Sequence, residues 1–118
     1  MLYIPTLSCH FNIIMLFLSF TDRFIIQAHS EQASSVDFNQ KYLVTGSEGC
    51  TVGVWSMDIA PGENLHYLKG HTQGITEVKI LDGDDRRPLC VSGSYDSSVR
   101  IWSVTTGLCL AVLIGITK

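Results

Sequence analysis

Residues 33–38 read ASSVDF, with apolar side chains alternating towards Val36 and Phe38. That alternation is the period of a half-buried strand. Asn39-Gln40 forms a tight turn into KYLVTGS (41–47), and Glu48-Gly49 forms the next, into CTVGVWSM (50–57). A loop over 58–63 containing Pro61-Gly62 then leads to LHYLK (65–69). After Gly70-His71 the same rhythm starts again, with GITEVKIL (74–81), LCVSGS (89–94), SSVRIWSV (97–104) and LCLAVLIG (108–115) as strands. The connections are LDGDDRRP (81–88), Tyr95-Asp96 and Thr105-Thr106-Gly107. Glycine, proline, asparagine and aspartate at these points supply the backbone angles that turns need. Along the last strand the alternation of Leu108, Leu110, Val112 and Ile114 predicts one continuous apolar face. No window sustains a helical period, so the chain reads as antiparallel all-β.

The two groups of four strands share a sentence. VTGSEGCTVGVWS (44–56) and VSGSYDSSVRIWS (91–103) carry Val, Gly, Ser, Val, Trp and Ser at matched positions. Self-similar units of about 40–45 residues with four strands each, Gly-His before and Trp-Asp after, mark WD40 propeller blades. The chain resembles that family over 24–115, best from Gly70 to Ser103. The resemblance implies a partial β-propeller: an apolar leader (1–23), a degenerate first blade (24–69) and a second blade (70–118). It also implies a buried tetrad of His71, Ser92, Asp96 and Trp102 in the second unit. An indole N–H can only donate, so the serine oxygen is its natural acceptor, while a carboxylate can orient the imidazole. The first unit has His29, Thr45 and Trp55 at the matching positions but Gly49 in place of the aspartate, so its tetrad is incomplete. Both units end Trp-Ser instead of Trp-Asp.

The leader changes the picture less than its composition suggests. Residues 1–21 contain no charged side chain, but the densest apolar run, Ile13 to Phe20, is shorter than the roughly 20 residues a membrane span needs. No Lys or Arg precedes it, and Ser19-Phe20-Thr21 is a poor cleavage site for a signal peptide. It reads as a buried strand or helix, or as a leader. An anchor or export segment over residues 2–20 is the alternative, with a membrane-associated or secreted product as its consequence.

The net charge of −3, from eight basic and eleven acidic residues, provides no basic face for nucleic acid. None of the four cysteines stands in a Cys-x-x-Cys pair. Cys50, Cys90 and Cys109 lie in or beside apolar runs, where a thiol behaves as a small buried hydrophobe. That pattern fits a reducing, intracellular location, cytoplasmic or nuclear, although a Cys50–Cys90 bridge is not excluded by sequence. Asp82, Asp84 and Asp85 fail the order of a calcium loop, and no metal or cofactor motif appears. His71, Ser92 and Asp96 could form a hydrolase triad, but there is no Gly-x-Ser-x-Gly elbow, and the tetrad uses the same residues.

The family resemblance implies a non-enzymatic scaffold that binds proteins or peptides through loops at one face. By position, the candidate contacts are Thr72, Gln73, Tyr95 and Ser97 in the second unit and Glu48 in the first. Cys-Val-Ser-Gly-Ser-Tyr-Asp and Thr-Gly-Leu-Cys look most like F-box-type WD40 proteins, which hold substrates for ubiquitin ligases. A propeller closes with about 4–8 blades. Two units therefore suggest a fragment of a larger ring, completed by additional blades or by self-association.

Overall fold

The computed structural model describes residues 6–10, 13–17, 23–27, 31–57, 63–81 and 86–115, the first three segments as backbone only. Among these residues there are strands and no helix. Strands β1 (Thr6–His10), β2 (Ile13–Phe17) and β3 (Arg23–Gln27) form an antiparallel meander in the order β1-β2-β3. The first four-stranded sheet contains β4 (Ala33–Phe38), β5 (Tyr42–Ser47), β6 (Val52–Ser56) and β7 (Asn64–Leu68). The second contains β8 (Ile75–Leu81), β9 (Leu89–Ser94), β10 (Ser98–Ser103) and β11 (Cys109–Ile114). Each sheet follows chain order from one edge to the other, so short turns suffice and no crossover is needed. The apolar segment that reads ambiguously in sequence is thus strand, and β3 pairs with β2 instead of joining the first four-stranded sheet.

The local causes are visible at the turns. Asn39 ends β4 because its Oδ1 accepts the backbone N–H groups of Lys41 and Tyr42, both at 2.8 Å, which closes the hairpin. The turns Ser47–Cys50 and Ser94–Ser97 are built alike. In each, the serine hydroxyl accepts the N–H two residues on, from Gly49 at 2.9 Å and from Asp96 at 3.1 Å. In each, the fourth residue is left-handed without being glycine: Cys50 at φ 73° and Ser97 at φ 69°. The loops containing Pro61-Gly62 and Asp82–Asp85 lie outside the described residues.

Cross-strand register decides which residues share a face. Val44 opposes Val54, Gly46 opposes Val52, and Val52 opposes Leu68, so these five line one face of the first sheet. That face packs on Ile75, Val78, Ile80, Cys90, Trp102 and Val104 of the second unit, and together they form one buried cluster. The opposite face of the first sheet, with Leu43, Thr45 and Trp55, is also buried. Gly46 lets the sheets approach, since a Cβ there would lie 2.6 Å from Ile75 Cγ2 and 3.0 Å from Val78 Cγ1. Gly46→Ala is therefore expected to cost about 1–3 kcal/mol by forcing two packed branched side chains apart. A denaturant titration showing no loss would contradict this account of the interface.

A second device joins the sheets. Strand β8 is an edge strand, and its outward backbone groups need partners. Side chains of β4 supply them. Ser35 Oγ accepts the Val78 N–H at 3.1 Å, and Asp37 Oδ2 accepts the Ile80 N–H at 2.8 Å. The Ser34 hydroxyl donates to the Ile75 carbonyl. At the far rim, His66 Nε2 lies 3.0 Å from the Thr105 carbonyl oxygen and can donate to it, so His66 joins the two sheets.

Two expectations are corrected here. Cys90 is buried, but Cys50 sits half-exposed in a turn and Cys109 is exposed on β11, an edge strand among the described residues; the three are free thiols. The alternation along β11 is broken by a bulge opposite Ile101/Trp102. Val112 and Ile114 therefore oppose Arg100 and Ser98, on the side of the first sheet, whereas Leu113 opposes Val99 on the uncovered side.

Candidate functional site

Four side chains, from the loop before β8, from β9, from the turn 94–97 and from β10, meet at one end of the second sheet. Register puts Ser92 directly opposite Arg100 and Trp102 opposite Cys90, so Ser92 and Trp102 project from the same face of adjacent strands. The Trp102 indole N–H donates to Ser92 Oγ at 2.8 Å. Ser92 Oγ lies 2.7 Å from His71 Nε2, and His71 Nδ1 lies 3.0 Å from Asp96 Oδ2. Donor accounting fixes the direction of the relay. The carboxylate only accepts, so the Nδ1–H goes to Asp96; in that neutral tautomer Nε2 is an acceptor and takes the Ser92 hydroxyl proton, while the hydroxyl oxygen accepts from the indole. Each member thus orients the next, and the loop before β8, the β9–β10 turn and two strands are tied together. Trp102 is 2% exposed and Ser92 wholly buried, and the imidazole meets the indole edge-on at 6.4 Å.

Asp96 is the collecting point. Besides His71, it accepts the Thr72 N–H at 3.0 Å on Oδ2, and the Ser98 N–H at 2.9 Å and Ser98 hydroxyl on Oδ1. Partial burial alone would raise its pKa. The bonds from the Ser98 hydroxyl, the Thr72 amide, His71 and the Ser98 amide together outweigh that, holding the carboxyl well below the usual carboxylate range. Ser98 is the residue that sequence reasoning missed. It is itself buried, and its Oγ also lies 3.1 Å from His71 Nδ1. Its signal was available in the Asp-x-Ser spacing, a pattern that favours side-chain-to-backbone turns.

The first sheet keeps only part of this arrangement. The Trp55 indole donates to Thr45 Oγ1 at 3.1 Å, both side chains being buried. His29 lies outside the described residues. Gly49 provides no carboxylate, and the space a side chain would take there is occupied: its Cβ would stand 2.6 Å from Glu31 Cγ. Glu48 projects into solvent beside it.

Above the relay, the exposed candidates gather on one rim. Tyr95 is 70% exposed, and Thr72, Gln73, Ser97 and Glu48 are exposed as well. The backbone under them is fastened. The Tyr95 N–H donates to the Gly74 carbonyl at 3.0 Å, and the Ser94 hydroxyl donates to the Gln73 carbonyl at 2.9 Å. Gly74 in turn lies against the Glu48 backbone, where a Cβ would be 3.1 Å from the Glu48 oxygen. This last contact brings the two units' turns side by side. Burial pushes the Cys90 thiol up to about 12, which keeps it protonated and unreactive. Among the described residues, no group of three or more His, Cys, Asp or Glu could hold a metal ion, and no helix is long and apolar enough to cross a membrane.

Comparison with known proteins agrees with this architecture. Residues 20–56 and 62–103 each match the WD40 family, described as WD domain, G-beta repeat. The chain is 32% identical to the WD repeat-containing protein pop1 of Schizosaccharomyces pombe, over 82% of this chain and 15% of that protein. It is 40% identical to Mitochondrial division protein 1 of Mycosarcoma maydis, over 65% of this chain and 9% of that one. With the Nuclear distribution protein nudF of Aspergillus flavus it shares 26% identity, over 76% of this chain and 29% of that one. The chain therefore spans less than a third of each of these relatives. Two matched repeats, each folded as a four-stranded antiparallel sheet, place the chain in the WD40 repeat family.

Proposed function

We propose that this chain is a protein-interaction scaffold whose contact surface is the rim formed by Tyr95, Thr72, Gln73, Ser97 and Glu48. The observation that carries this reading is Tyr95, a large amphipathic side chain that is 70% exposed on a turn with hydrogen-bonded flanks. An aromatic held out on an already ordered backbone loses little entropy on binding, and tyrosine is among the residues enriched at binding hot spots. The tetrad supports the rim without touching the partner. The partner is a protein or peptide, since an acidic chain of net charge −3 attracts nucleic acid poorly. Free thiols at three positions accord with an intracellular location.

The relay has the connectivity of a hydrolase triad, yet its role is structural. Ser92 is wholly buried and its oxygen is occupied by the Trp102 indole, so no carbonyl carbon can reach it. The narrower reading, in which the partner is a ubiquitin-ligase substrate, rests on Thr106–Cys109 and on the Cys90–Asp96 stretch. Cys90 and Ser92 are interior and Asp96 anchors the turn, so most of that stretch serves the fold; only Tyr95 projects into solvent. Additional sheets, in the same chain or another, would be needed to close a ring.

A photo-crosslinking residue at position 95 tests the reading. Adducts to polypeptide are expected there and not at exposed Arg87, away from the rim. Against a partner so identified, Tyr95→Ala should weaken binding by roughly tenfold or more, as expected for a hot-spot aromatic, while the circular dichroism stays unchanged. Unchanged affinity after joint truncation of Tyr95, Thr72 and Gln73 would refute it.

A further inference from the structure

The rim that carries Tyr95 has charge of one sign. Glu31 and Glu48 are both exposed, and among the described residues neither carboxylate has a hydrogen-bond or ion-pair partner. Their backbones are fixed side by side. The Glu48 N–H donates to the Gln32 carbonyl at 2.9 Å, and the Glu31 stem lies over Gly49, where a Cβ would stand 2.6 Å from Glu31 Cγ. Asp96 adds a carboxylate directly beside Tyr95, held ionised by the donors gathered on it. No lysine or arginine occurs in the segments that form this rim, 31–32, 47–50, 72–74 and 94–97.

The acids and the ring are contiguous across the two units. Gly74 touches both turns: its carbonyl accepts the Tyr95 N–H at 3.0 Å, and a Cβ on it would lie 3.1 Å from the Glu48 carbonyl oxygen. Gly49 and Gly74 put no side chain at this junction. Like charges on neighbouring turns repel one another, and a cation set between them turns that repulsion into attraction. The electron-rich face of the tyrosine ring attracts the same charge. An anionic partner is repelled by every one of these groups, so the rim discriminates by sign.

We propose that the segment recognised on this rim is a basic peptide, with one lysine or arginine side chain over the Tyr95 ring and another between Glu48 and Glu31. The inference rests on the reading of the rim as a protein contact surface and adds the charge of what it holds. An extended segment with basic residues two positions apart presents both on one side, about 7 Å from each other. That spacing suits turns joined through the single residue Gly74. The exposed Thr72 hydroxyl and Gln73 amide offer hydrogen bonds to the peptide backbone between them. Binding weakens as salt is added, because exposed charges are screened over about 10 Å at 0.1 M ionic strength.

An array of synthetic peptides of matched length tests this, in three sets bearing paired arginines or lysines, paired glutamates, or paired phosphoserines. The tagged full chain is applied, and affinities for retained peptides are measured by fluorescence anisotropy. The basic set is expected to be retained. Glu48→Lys and Glu31→Lys should each weaken it roughly tenfold or more, and the variant carrying both should prefer the glutamate set. Glu63→Lys is the control. It changes the net charge equally, but the Glu63 carbonyl accepts the Ser56 N–H at the far end of the first sheet, so affinity should stay within about twofold. All three side chains are exposed, so the fold survives each change. Retention of glutamate or phosphoserine peptides in a way that Tyr95→Ala abolishes overturns the proposal and leaves the rim reading standing. Basic peptides weakened alike by all three reversals bind by net charge alone, which also overturns it. If no peptide binds, or none depends on Tyr95, the rim reading and this proposal fall together.

Discussion

Replacing Trp102 with alanine is expected to lower the unfolding free energy by about 3–5 kcal/mol, the range found when a large buried aromatic is truncated. The ring is 2% exposed and belongs to the cluster that joins the two sheets, so its loss opens a cavity at the interface. It also removes the donor that fixes the Ser92 hydroxyl. Trp102→Phe shifts the balance between these contributions: it keeps much of the apolar contact and deletes the indole N–H with part of the ring, for a smaller cost of about 1–2 kcal/mol. Urea titrations followed by far-ultraviolet circular dichroism provide the comparison. A loss below about 1 kcal/mol for alanine would show that the sheets do not depend on this ring, against the usual cost of such a cavity.

The second large effect falls on Asp96. Asp96→Ala leaves the His71 Nδ1–H, the Thr72 and Ser98 amides and the Ser98 hydroxyl without their acceptor. The expected cost is about 1–3 kcal/mol. Gly49 has no such dependants, so Gly49→Ala should cost much less, limited to displacing the Glu31 side chain. The carboxylate also predicts a pH dependence. Its folded pKa is depressed below the unfolded value of about 4. Its contribution to stability is therefore fully present above about pH 4 and is lost as pH falls towards the folded value. The unaltered chain should lose stability in acid more steeply than Asp96→Asn, whose amide does not titrate. Parallel slopes for the two proteins below pH 4 would remove Asp96 as the source.

Much of the fold was legible because strands announce themselves locally. The alternation in ASSVDF, the Asn39 turn and the β-branched run at Ile75–Leu81 each depend on neighbours a few positions away, and the observed strands follow them closely. The matched sentences at 44–56 and 91–103 located two like sheets for the same reason: a repeat is a property of the sequence itself. The His71, Ser92, Asp96 and Trp102 spacing could be read only through its resemblance to a family, and Ser98 escaped because that pattern does not include it.

Other features had no local signature. Cys109 sits in an apolar run that resembles a core strand, yet β11 is an edge, and edge status depends on what lies beyond a strand. The bulge opposite Ile101/Trp102 shifted the face of every later β11 residue, because a single extra residue reverses a period of two. The use of Ser35 and Asp37 to cap the β8 backbone, some forty positions away in the chain, came only from packing. So did the meeting of Glu48 with Gly74, which makes one rim of two turns. Sequence by itself determined the strands, their turns and the repeat, since these follow from steric and hydrophobic periods within each segment. Tertiary structure alone decided which faces are covered and which backbone groups find distant partners, because burial is a property of pairs of surfaces and not of either one.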